Sequence, residues 1–233
     1  MQLMDGRTVP ATRPMAFLFM ASLMVLQACA SHPVGVMTPV ASPRMDGQSV
    51  VDMLVVTSRQ PSGDPASLFS GERSSEPSIT GVAVSIPSDK HRVAGTVQWP
   101  KKLPPNPRTD FSVVRVNDLP TVAAARRWIG EHRKSRHVMV FVHGFNNTYE
   151  DAVFRYAQIV HDSGADVTPV LFTWPSRASL FDYNYDKEST NFSRTALEQT
   201  LRGLSRDPDV TDVTILAHSM GTWLAMESLR QMA

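Results

Sequence analysis

Cysteine occurs once, at position 29. A single thiol excludes an internal disulfide framework and every cysteine-based zinc site. Excess charge is also absent, since 23 Lys and Arg stand against 22 Asp and Glu for a formal net charge of +1. That balance gives no general electrostatic ground for binding nucleic acid, and no such partner is expected. No apolar run reaches the ~20 residues that cross a bilayer as a helix. No internal repeat, Gly-rich phosphate loop or His pair at zinc spacing occurs, and no cofactor or metal is expected. What is present is 42% hydrophobic residues and 19% charged ones over 233 positions. That is enough for a real core and for one domain with appendages, because domains usually run ~100–200 residues.

The chain starts with Arg7 and Arg13 ahead of a short apolar run, Met15 to Leu26. A basic start, a short apolar stretch and a small residue before the cut describe a secretory signal peptide. The cut region, Leu26-Gln27-Ala28-Cys29, resembles the bacterial lipobox, in which the Cys becomes the lipidated first residue of the mature protein. Residues 1–28 are therefore expected to be a lipoprotein signal peptide, with Cys29 the lipid attachment point and the membrane reached through that anchor. The alternatives are an ordinary signal peptide with an incidental Cys, or a short membrane anchor. The expected location is the periplasmic side of the bacterial envelope. Ala30 and Ser31 put no Asp at the second mature position, which by the same resemblance favours the outer membrane. Residues 29–49 are rich in Pro, Ser and Ala and read as a flexible tether. Residues 50–233 are the expected domain.

The front of that domain reads as mostly antiparallel β structure, with strands at Val51–Thr57 and Ile79–Ile86 and weaker ones at Val93–Trp99 and Phe111–Val116. Gln60–Ser78 and Pro100–Pro107 read as loops. After Asp118 the pattern changes. A helix is expected over Leu119–His132, then the buried strand Val138–Val142, five consecutive apolar residues. A helix from Tyr149 to Asp162 follows, with Thr148 as N-cap and Gly164 as its stop. Strand Val167–Phe172, loop Trp174–Lys187, helix Phe192–Ser205, strand Val213–Ala217 and a helix from Met220 complete the series. Strands alternating with helices at this spacing imply an α/β fold: a mostly parallel sheet with helices on both faces and antiparallel N-terminal strands.

The sharpest local signal is Ala217-His218-Ser219-Met220-Gly221, at the join of an apolar strand and a helix. A tight strand–turn–helix of this kind holds a Ser in a strained conformation with its hydroxyl exposed above the sheet. Small residues are needed two before and two after the Ser, where strand and helix backbones approach closely. Gly221 supplies one, and Ala217 replaces the Gly usual at the other. Ser219 is the candidate nucleophile, and the Met220 amide at the helix N-terminus is a candidate oxyanion donor. His143-Gly144-Phe145-Asn146-Asn147 follows the first buried strand, and Gly144 lets that backbone come close. Its expected donor is the Phe145 amide, with Asn146 as second choice; the plain alternative is a strand-to-helix turn.

The stretches MVFVHGFNNTYEDAVFRYAQI, PVLFTWPSRASLFDYNYDKESTNFSR and VTILAHSMGTWLAMESL resemble an alpha/beta-hydrolase family of unknown function, esterase/lipase-like, of the DUF900 type. SLFSGERS and ITGVAVSIP upstream also match, so the resemblance covers roughly Val51 to Ala233. It implies an alpha/beta-hydrolase fold of the serine-hydrolase kind, and the expectation built on Ser219 is hydrolysis of ester or amide bonds, with an unidentified small-molecule or lipid ester as partner. Trp174 is expected to pack a strand end rather than line the substrate cleft. Phe181–Asp186 reads as a surface loop, with a lid as the alternative.

In this fold an Asp or Glu and then a His follow the Ser along the chain. Fourteen residues follow Ser219, and they contain Glu227 and no His. The expectation is a domain lacking its C-terminal strands, with hydrolase activity impaired. The alternative is a non-catalytic envelope lipoprotein or binding module on a degenerate hydrolase fold. His218 is adjacent to Ser219, where neighbouring side chains diverge. His143 is expected to be structural to the oxyanion loop rather than the base, and His132, His137 and His161 to be solvated or capping. Asp166 and Asp186 cannot be placed against Ser219 by sequence.

Overall fold

The computed structural model describes residues 34–41 and 47–233. The signal peptide and Cys29 lie outside the described residues. The elements are β1 (Ser49–Pro61), β2 (Phe69–Ile86), β3 (Ser112–Asp118), α1 (Val122–His132), β4 (His137–Val142), α2 (Tyr149–Ser163), β5 (Thr168–Thr173), α3 (Tyr183–Ser205), β6 (Asp212–Ala217) and α4 (Met220–Met232). One six-stranded sheet has the order β3-β2-β1-β5-β4-β6. The β2 pairings with β1 and β3 are antiparallel, and β1–β5, β5–β4 and β4–β6 are parallel.

Side chains alternate across a strand, so a sheet covered on both faces needs strands that are apolar throughout. Met53, Val55, Phe141 and Leu171 point into one core with Tyr149, Val153 and Tyr156 of α2. Their neighbours Leu54, Val56, Val140, Val142, Val170 and Phe172 point into the other, against α1, α3 and α4. The β4 run Val138–Val142 is apolar for this reason. Among the described residues, strand β6 is paired on one side only, to β4, and its residues alternate between exposed and half-buried. It forms the edge of the sheet. Among the described residues, no helix is long and apolar enough to cross a membrane.

Helix α2 starts and stops where its sequence says it should. Thr148 and Asp151 form a capping box, and Gly164 closes the helix with φ +60°. Four expectations are corrected. The stretch Val93–Trp99 forms no strand, although its Gln98 carbonyl accepts from Phe111 N–H. The loop expected over Gln60–Ser78 shrinks to residues 62–68, because β2 begins at Phe69 and its polar first half pairs with the end of β1. Helix α3 begins at Tyr183, not Phe192. Its first turns bury Asp186, Ser189, Thr190 and Ser193, a polar stripe that apolar periodicity does not reveal. Tyr183–Asp186 is thus helix rather than loop.

The fourth correction concerns only residues 34–41 of the tether expected over residues 29–49. Val36 and Met37 are fully buried in the α2-side core. Met37 N–H donates to Ala66 O (3.0 Å) and Val40 N–H to Val113 O (2.9 Å). Two adjacent apolar side chains inside a Pro- and Ser-rich stretch gain more from burial than from solvent, so this piece docks on the domain.

Candidate active site

The C-terminal ends of β4 and β6 lie side by side, and the two sequence motifs leave the sheet there. His218 N–H donates to Val142 O at 3.1 Å, extending the β4–β6 ladder by one bond. Ser219 then takes φ +53° and ψ −123°, a region costly for any side-chain-bearing residue. Gly221 N–H returns to His218 O (2.9 Å) and Thr222 N–H to Ser219 O (2.9 Å), starting α4. The Ser219 side chain is exposed.

Two glycines set the spacing of the turn. A Cβ placed on Gly221 would stand 2.3 Å from His143 O and 2.5 Å from Val142 O. A Cβ on Gly144 would stand 2.7 Å from His218 Nδ1 and 3.1 Å from the Ser219 Cβ. The His-Gly loop and the serine turn are therefore in contact, and both crossings need glycine. Ala217 is half-buried on β6.

His143 is fully buried and stacks on Trp174, with ring centroids 4.8 Å apart and planes 9° from parallel. Its Nε2 accepts Trp174 N–H (3.1 Å), which leaves the proton on Nδ1 for Gly144 O (2.8 Å). Trp174 Nε1–H donates to His143 O at 2.8 Å. Burial, with the nearby Arg59 charge, pulls the imidazole down to about 3, so it is neutral at pH 7. With both nitrogens engaged, His143 holds the loop and is not free to act as a base. Trp174 packs the end of β5, as expected.

His132, His137 and His161 stand elsewhere. His132 Nδ1 meets Trp128 O (2.9 Å), and His137 Nε2 meets Thr214 Oγ1 (2.8 Å). His161 Nδ1 meets Ser49 Oγ (2.8 Å) at the start of β1, the far end of the sheet from Ser219. Its Nε2 contact with Asp89, 3.4 Å, is the one His–carboxylate pair among the described residues. Glu227 pairs with Arg230 on α4 (2.7 Å). Ser219 Oγ makes no hydrogen bond among the described residues.

The amides of the His143–Asn147 loop are not equivalent. Asn147 N–H donates to Ser176 Oγ (3.2 Å) and Asn146 N–H to Asp186 Oδ2 (3.4 Å). Phe145 N–H and Met220 N–H donate to nothing among the described residues. Asn146, with φ +60°, is thus a poorer oxyanion donor than Phe145, whose ring packs on Tyr183 at 5.4 Å.

Sequence reading missed the polar layer beneath this loop. Arg59, at the end of β1, is 1% exposed. Its Nε donates to Thr173 Oγ1 (2.9 Å), one terminal nitrogen to Ser176 O (3.0 Å) and Ser70 O (3.2 Å), and the other to Asn147 O (2.8 Å). Burial lowers its guanidinium to about 10, and Glu150, Asp186 and Asp151 act against that shift; it stays cationic at pH 7. Asp186 is fully buried and accepts from Ser176 Oγ (2.5 Å) and Arg177 N–H (3.0 Å) as well as Asn146. A charged residue shortly after the apolar run Met53–Val56 of β1 was the one available sequence signal for Arg59.

A mixed sheet with helices on both faces and a strained serine at a strand–turn–helix join defines an α/β-hydrolase-type domain. Residues 121–233, from α1 through the serine turn to α4, match the family described as "Alpha/beta hydrolase of unknown function (DUF900)". No curated protein and no solved structure matches the chain.

Proposed function

We propose that this domain carries an acyl-transfer site for ester or amide bonds. The observation that supports it most is Ser219 at φ +53° and ψ −123° against the Gly144 backbone. In this reading the Ser219 hydroxyl oxygen attacks the substrate carbonyl carbon, the carbonyl π pair moves onto oxygen, and the Phe145 and Met220 amides receive that oxyanion. The tetrahedral centre then breaks its bond to the leaving oxygen or nitrogen, which takes up the serine proton through solvent water and departs as alcohol or amine; water next attacks the acyl-serine, releasing the acid and returning the proton to Ser219. The serine proton needs an acceptor, and none of the described imidazoles is bonded to Ser219. Without a base the reaction runs at the residual rate of oxyanion stabilisation and binding, roughly 10³–10⁴ over water in a well-studied protease. Lipidation at Cys29 would hold the site at the envelope membrane, facing small-molecule or lipid esters.

The lone Ser219 hydroxyl favours one second reading, a non-catalytic module that binds such ligands on the same fold. A fluorophosphonate probe separates the two. Phosphonylation of Ser219, lost in Ser219→Ala and in heat-denatured protein, supports the hydrolase reading. Labelling no greater than in the denatured protein rejects it.

A further inference from the structure

The polar layer under the His143–Asn147 loop contains two buried groups of opposite charge that do not touch. Arg59 and Asp186 are joined through one residue: Ser176 gives its carbonyl to Arg59 and its hydroxyl proton to Asp186. The loop is gripped from both sides. Arg59 holds the Asn147 carbonyl, Asp186 takes the Asn146 N–H, and Ser176 Oγ takes the Asn147 N–H. The two N–H groups and the Asn147 carbonyl are thereby engaged. The next amide toward the serine, that of Phe145, is left over.

We propose that Arg59, Ser176 and Asp186 are positioning residues that select the Phe145 amide as the oxyanion donor and fix its direction. The proposal rests on the acyl-transfer reading of Ser219 and adds to it the machinery that orients the hole. Each partner is suited to its task. A guanidinium presents a planar fork that reaches three carbonyls and a hydroxyl at once, which an ammonium cannot do. A carboxylate with four lone-pair sites accepts three donors from two segments. Asp186 also sits in the first turn of α3, where the helix dipole favours a negative charge. The Arg59–Ser176 and Ser176–Asp186 bonds are buried and those to Asn146 and Asn147 partly so, and the buried part of the network holds the loop in its present conformation. An oxyanion donor must already be aimed when charge develops, so rigidity below the loop is useful above it.

The test uses the full chain with Asp186→Asn, Ser176→Ala, Arg59→Lys and, as a control, Leu201→Ala. Leu201 is buried in the α3 packing away from the loop and is expected to lower stability without touching the hole. Two quantities are read: backbone amide exchange at residues 144–147, and the rate of Ser219 phosphonylation. The three network variants are expected to raise exchange at 144–147 and slow phosphonylation by roughly 10–100-fold. Leu201→Ala is expected to lower Tm while leaving both near wild type. Arg59→Lys should fail like the others, because charge without the fork does not hold three carbonyls.

Exchange at 144–147 that stays at wild-type level in Asp186→Asn and Ser176→Ala overturns the proposal. So does a Leu201→Ala variant of equal Tm that slows phosphonylation as much as they do, since general loosening would then suffice. If wild type and Ser219→Ala are labelled alike, the acyl-transfer reading fails, and the exchange measurement still decides whether this network sets the loop.

Discussion

Gly221 lies directly under the carbonyl of His143, so close that a Cβ on it would stand 2.3 Å from that oxygen. The obstacle is strand backbone, which cannot swing aside as a side-chain tip can. Gly221→Ala is therefore expected to push α4 off the end of β4 and destabilise the domain by about 1–3 kcal/mol or more. A methyl placed on Gly203 in α3 would meet nothing within 4 Å, and Gly203→Ala should stabilise by roughly 0.5–1 kcal/mol. Thermal or denaturant melts of the two variants decide it, and equal shifts would show that the close approach does not constrain the turn.

Ser219 is held at a positive φ by its neighbours rather than by preference. A non-glycine residue in such a region stores about 1–3 kcal/mol. Ser219→Gly is expected to raise Tm relative to wild type, whereas Ser219→Ala keeps the Cβ and the strain and should not. Both variants lose the hydroxyl, so both should lose phosphonylation. A glycine variant no more stable than the alanine one would remove strain as the account of this turn.

Acid should weaken the fold through His143. Its ordinary value is 6.5, and in the folded chain burial takes it down to about 3. Between those values the unfolded imidazole holds a proton that the folded one does not. Stability from this residue is therefore complete above pH 6.5 and is lost as pH falls toward 3, at up to roughly 1.4 kcal/mol per pH unit. The interval from pH 6.5 to 5 is the informative one, since most carboxylates titrate lower. Wild type should lose Tm across it more steeply than His143→Gln; parallel curves would mean that His143 is not held neutral.

The parts of this structure legible in the sequence are those where residue type and environment coincide. The Val138–Val142 run announces a strand buried on both faces, Thr148 announces a helix start and Gly164 its stop, and the Ser219 turn carries its glycine. The parts that were hidden depend on backbone partners or on polar burial. Phe69–Ser78 is a strand because it pairs with the end of β1, although its Ser, Glu and Arg content suggests a loop. The first turns of α3 bury Asp186, Ser189 and Ser193 where an apolar stripe would have been recognised. Arg59 bonds three carbonyls and one hydroxyl, and carbonyls leave no residue-type pattern to read. Val36 and Met37 were too short a run to stand out from their Pro- and Ser-rich surroundings.

The edge formed by β6 carries a consequence for solution behaviour. Its outer backbone groups have no strand beside them among the described residues, and Leu216 on it is 38% exposed. Trp223 and Met226 of the adjoining α4 are 56% and 61% exposed. An unpaired strand flanked by apolar side chains is a template for edge-to-edge association, and a charge on such an edge is the usual protection. Leu216→Lys places an ammonium on β6 at a position already partly in solvent, so the cost to the fold is small. Sedimentation velocity of wild type should show association that grows with protein concentration, and Leu216→Lys should shift it toward monomer. Val34→Lys, at a position 80% exposed and remote from β6 in sequence, should leave the association unchanged. If Val34→Lys suppresses it equally, added charge and not the β6 edge is responsible.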